Sequence, residues 1–167
     1  MKPPYKASAV ANFFLDKADE ERRGITMLQL IKMCYVAHGW TLALGNEPLM
    51  NEEVEAWKYG PVIPSLYHEF KEYGRKPITE RARELNIDDF TIEIPRISKK
   101  DRETRIVLEK VWGTYKNMSG AKLIDRTHAE GTPWKETYEE GSNKVIEDSL
   151  IKDYYKAIFD KLFSSDN

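Results

Sequence analysis

Apolar side chains recur along most of this chain at intervals of three and four, the spacing of one face of an α-helix. Val10, Phe13, Phe14 and Ala18 predict a first helix over residues 7–20, with Ser8 as a capping residue. The mixed-charge run Asp19 to Arg23 ends at Gly24, a helix stop. Thr26 and Gln29 then form a Thr-x-x-Gln capping box. Behind it Leu28, Ile31, Tyr35, His38 and Leu42 step along one stripe, and Leu30, Met33, Ala37 and Leu44 fill its neighbour. Only Gln29, Lys32 and Thr41 are clearly polar before Gly45. A helix apolar round most of its circumference belongs at the centre of its domain.

Beyond Gly45 the pattern changes. Val54-Glu55-Ala56-Trp57 alternates briefly, and Tyr59-Gly60-Pro61-Val62-Ile63-Pro64 breaks regular structure, because proline fixes φ and restricts the residue before it. Pro64 or Ser65 opens a helix through Leu66, Tyr67, Phe70 and Tyr73, and Gly74 closes it. Residues 75–100 read as a less regular insertion. Within them Phe90-Thr91-Ile92-Glu93-Ile94-Pro95 has the alternation of an edge strand. Leu108, Val111, Trp112 and Tyr115 predict a helix over 101–117, and Ser119 caps a shorter one over 120–130. Gly131-Thr132-Pro133-Trp134 reads as a loop. Asp148 or Ser149 caps a last helix carrying Ile151, Tyr154, Tyr155, Ile158, Phe159 and Leu162. The expectation is a mainly α, single compact domain spanning 1–167, of about six helices. A minor two-stranded β element would pair 54–57 with 90–94.

Composition narrows the function. Of 167 residues, 41% are hydrophobic and 32% charged, with enough aromatic side chains to exclude a disordered chain. Twenty-six basic against 28 acidic residues give a net charge of -2, so no single-sign field is available to coat nucleic acid, and DNA binding is not expected. The lone Cys34 forms no internal disulfide and fits a reducing compartment. No signal-type or membrane-spanning apolar run is present, so a cytoplasmic, soluble protein is expected.

Catalytic motifs for phosphate, zinc or acyl chemistry are missing from the sequence. Cys34 and His38 lie four apart on the central helix, the spacing of a thiolate–imidazole pair, but a buried cysteine beside a hydrogen-bonded histidine explains the same spacing. His38, His68 and His128 have no local ligand spacing and would bind a metal only if the fold gathered all three. No cofactor or metal is expected. Trp40 and Trp112 fit core positions; Trp134, in its loop, fits a core or a binding anchor equally.

Ile31 to Trp40 carries Tyr35-x-Ala37-x-Gly39-Trp40. It is followed by Glu55-Ala56-Trp57-x-x-Gly60-Pro61-Val62-x-Pro64, and later by Thr127-His128 and Pro133-Trp134. This order resembles the Panacea domain, the family of SocA-like antitoxins and phage-associated GepA-type proteins, over residues 8 to 160. The resemblance implies an antitoxin that neutralises a partner toxin by direct protein–protein binding, from a toxin–antitoxin or phage/prophage locus. The alternatives are an adaptor presenting a client protein to host machinery, and an enzyme using Cys34/His38 or a histidine–metal site. With residues 1–7 ahead of the first helix, an additional N-terminal helix-turn-helix domain is not expected. Partner-binding or motif positions are His38, Trp40, Glu55, Trp57, Gly60, Pro61, His128 and Trp134, with His38, Glu55 and His128 expected as a polar cluster beneath the Gly60–Pro61 corner. The resemblance specifies neither the toxin nor the oligomeric state.

Overall fold

A computed structural model describes residues 3–164. Seven α-helices run in the order α1 (Ala7–Glu20), α2 (Met27–Gly45), α3 (Pro64–Phe70), α4 (Arg102–Tyr115), α5 (Gly120–His128), α6 (Pro133–Thr137) and α7 (Asp148–Phe163). The strands are β1 (Val54–Trp57), β2 (Gly60–Val62), β3 (Glu84–Asn86), β4 (Thr91–Glu93) and β5 (Val145–Ile146). The mainly α expectation holds, with one more helix than expected. The addition is α6, where Thr132 accepts from the Lys135 amide at 3.3 Å and Pro133 occupies the first turn. Threonine followed by proline is a helix start, but five residues are too few for a periodic signal.

The strand pairing differs from expectation. β1 pairs antiparallel with β2 on one side and β5 on the other, and 91–93 pairs with 84–86 in a separate hairpin. In the β1–β2 and β3–β4 hairpins the partner is local, whereas β5 joins β1 from far along the chain. Trp57 lies opposite Gly60, so only Lys58 and Tyr59 form the turn. Closing so short a loop costs far less entropy than bringing 54 to 94.

As its pattern requires, α2 is the central helix, packed against α1, α3, α4, α5 and α7. The Thr26/Gln29 capping box forms, with Gln29 N–H donating to Thr26 Oγ1 and Thr26 N–H to Gln29 Oε1. Ser8 does not cap α1. Its hydroxyl donates to Glu84, and the open first turn instead donates from the Ala7 amide to Glu52 Oε2 at 2.8 Å. Ser119 caps α5 as read, and Asp101 caps α4. Glu147 precedes α7 without a side-chain cap, and Asp148 turns to His38 instead.

The insertion is clamped to α1 at both legs. Buried Asn12 donates to the Ala82 and Pro95 carbonyls, both at 3.0 Å, and accepts from the Ala82 amide at 2.8 Å. Arg81 bonds to Asp16 and Asp19, and Arg96 to Asp16.

Helix α7 docks onto α2 through Gly39. A Cβ there would sit 2.2 Å from a ring carbon of Tyr155, whose ring also meets Tyr35, Trp40 and Tyr154 edge-on. Gly39→Ala should therefore lower unfolding free energy by about 1–3 kcal/mol, the range for overpacking a filled core. Urea titration followed by near-ultraviolet circular dichroism of the tyrosines measures it.

Candidate functional site

The Gly60–Pro61 corner is built over a buried amine. Lys32, the one charged residue of α2, is 0% exposed, and its Nζ donates to the Pro61 carbonyl at 2.9 Å. Pro61 sits in β2, at the edge of the β2-β1-β5 sheet, where a residue without an N–H leaves no ladder bond unmade. Gly60 has φ +109, and a Cβ on it would lie 2.7 Å from Lys32 Nζ and 3.1 Å from Thr127 Oγ1. Glycine is required here twice over, by the dihedral and by the space.

Helices α5 and α6 close the corner. Trp134, 5% exposed, donates from Nε1 to the Trp57 carbonyl at 2.7 Å. Its ring stacks on His128 with centroids 3.7 Å apart and planes parallel within 1°, and on its other side on Tyr138 at 4.6 Å. Trp134 is thus a core residue that ties α6 to β1. His128 Nε2 is buried without a partner. Burial lowers the His128 pKa, the nearby Lys32 charge lowers it further, and a hydrogen bond to the Tyr59 backbone opposes both. Thr127 donates to the Leu123 and Ile124 carbonyls behind it.

On the outer side of the corner, Trp57 donates from Nε1 to Glu55 at 2.6 Å and meets Tyr67 edge-on at 4.9 Å. Lys58 lies over the exposed Tyr59 ring. The fold therefore gathers Trp57, Gly60, Pro61, His128 and Trp134, with Glu55 held at the margin by Trp57.

His38 and Trp40 lie elsewhere. His38 is six residues beyond Lys32, which turns it about 120° round the helix. Its Nδ1 accepts from the Met50 amide at 3.4 Å, leaving Nε2 to donate to Asp148 at 2.8 Å. Trp40 packs half-buried on Tyr155, beside a 320 Å³ cleft between α2 and α7. The expected His38–Glu55–His128 cluster is not formed: each has its own partners, and no hydrogen bond or ion pair joins any two of them.

Cys34 is fully buried, and burial pushes its thiol well up, away from thiolate reactivity. Among the described residues no group of three His, Cys, Asp or Glu side chains is arranged to hold a metal, and His68 stands on the surface of α3. An amine like Lys32, with its pKa lowered to about 7, has the basicity of a catalytic lysine. It is enclosed beneath Pro61, whose carbonyl accepts its hydrogen bond. Among the described residues no helix is long and apolar enough to cross a membrane.

A family model described as antitoxin SocA-like, Panacea domain, matches residues 30–135. This chain belongs to the Panacea family of SocA-like antitoxins. The match opens two residues before Lys32 and closes one after Trp134, so it encloses every residue of the corner. A stretch of 128 residues is 39% identical to Antitoxin SocA of Caulobacter vibrioides (strain NA1000 / CB15N), covering 77% of this chain and 68% of that protein. No solved structure matches. Sequence reasoning toward the Panacea motif missed Lys32, although a lone charge in an otherwise apolar helix was the available signal.

Two outcomes follow for this corner. Unfolded, Lys32 titrates near 10.5; folded, near 7. Between those values the unfolded chain holds more protons, so stability rises with pH from about 7 upward. His128, lowered too, adds a loss of stability on acidification through the histidine range. Urea midpoints at pH 7, 8 and 9 should climb, and Lys32→Met should flatten the climb. Gly60→Ala should cost about 1–3 kcal/mol from the positive φ alone, read by thermal denaturation.

Proposed function

We propose that this chain is a cytoplasmic antitoxin that neutralises a protein toxin by binding it, without covalent chemistry. The observation that carries the reading is the 39% identity to an antitoxin over 77% of the chain. The corner's chemistry supports it. Lys32, His128 and Trp134 are spent on holding a turn against a helix, and the thiol of Cys34 is sealed in the core. These groups make a rigid scaffold. A scaffold that reacts with nothing acts by the surface it presents.

Co-expression with the products of the genes adjoining its own tests this. One neighbour should arrest growth alone; the chain should restore growth and co-elute with that neighbour as a stable complex. Neighbours harmless alone overturn the reading. Rescue accompanied by a shortened toxin half-life, with no stable complex, replaces inhibition by client delivery.

A further inference from the structure

The hairpin formed by β3 and β4 is built as a projecting apolar face. Leu85 lies opposite Ile92 in the pairing, so the two share one side of the ribbon, and Ile94 follows Ile92 on that side. Ile87 and Phe90 extend the apolar surface round the tip and are 75% and 81% exposed. Leu85, Ile92 and Ile94 are exposed as well. Five large side chains of this kind offer on the order of 500 Å² of apolar surface, the scale of a functional patch and much of one partner's share of a standard interface.

The hairpin is held in readiness. Its legs are fixed by the Asn12 bonds and by Arg81 and Arg96 on Asp16. At the tip Asn86 Oδ1 accepts from the Asp88 amide, and Asp89 Oδ1 accepts from the Thr91 amide and hydroxyl. Phe90 adopts φ +56, an uncommon conformation for a bulky residue. These bonds restrain the legs and the tip without a partner, which reduces the entropy cost of binding.

Charge says what kind of partner fits. Residues 84–94 contain four carboxylates, Glu84, Asp88, Asp89 and Glu93, and no lysine or arginine. Among the described residues only Glu84 of the four has an ion-pair partner, Lys6 at 3.4 Å. A second copy of this chain seated face to face would oppose like charges and is disfavoured.

We propose that residues 84–94 are the docking surface for the neutralised toxin, and that the toxin meets them with an apolar groove edged by lysine and arginine. This rests on the antitoxin reading above and deepens it.

The test uses the full chain and the toxic neighbour identified by co-expression. Ile87→Asp with Phe90→Asp should weaken binding about 100-fold, the loss expected of central anchors, and abolish growth rescue. The melting temperature should stay unchanged, because both sites are exposed. Asp88→Lys should weaken binding roughly fivefold and reduce its salt dependence. Ile106→Asp, an exposed apolar site on α4, should bind as the wild type does. If the double variant folds and binds normally, the hairpin assignment falls while the antitoxin reading stands. If the wild-type chain neither binds nor rescues, the antitoxin reading fails and takes this surface with it. Sedimentation of the chain alone as a dimer that Ile87→Asp with Phe90→Asp dissolves would make the hairpin a self-interface instead.

Discussion

The fold turns on one amine inside an apolar helix. Residues 30–39 of α2 are buried on all sides, and a lysine there must find an acceptor or destabilise the core by several kcal/mol. The acceptor is the Pro61 carbonyl, held over Lys32 by a tight hairpin. That hairpin requires Gly60 beside the amine and a carbonyl at Trp57 that Trp134 can reach. The indole then fixes α6, and its stack with His128 fixes the end of α5. Central helix, edge strand and helices α5 and α6 are joined through one polar contact, because its loss would leave a buried amine without an acceptor.

That dependence explains what the sequence could and could not reveal. Helices α1, α2, α4 and α7 were legible because each repeats its apolar face over three turns or more. The Thr26/Gln29 box was legible because the signal is local chemistry. α6 was not, since five residues carry no period. β1 and β4 were legible as extended, but their partners β2, β3 and β5 were not. Alternation says which face is buried and nothing about which neighbour completes the ladder. Lys32 was read as a polar interruption, since burial of a charge depends on an acceptor 29 residues away. The His38 cluster failed for a related reason: residues that share a motif need not share a helix face.

The residues that carry the family likeness mostly point inward. Gly60, Pro61, Thr127 and Trp134 are buried, and His38 is sealed between Met50 and Asp148. Such residues keep a shape constant and are not presented to a partner. On the antitoxin reading proposed above, discrimination between toxins would fall to side chains that the fold supports without consuming.

The insertion meets that condition. Asn12 spends three hydrogen bonds on the two legs of the hairpin and none on its apolar face. The aliphatic side chains of β3, β4 and their tip contribute little to the core, so they can change without unfolding α2 or the corner. Under the docking proposal, a surface anchored at its base and free of the core at its tip would separate what stabilises the protein from what selects its partner. The hairpin's own exposed apolar side chains lie on a narrow ribbon whose carboxylates oppose self-association.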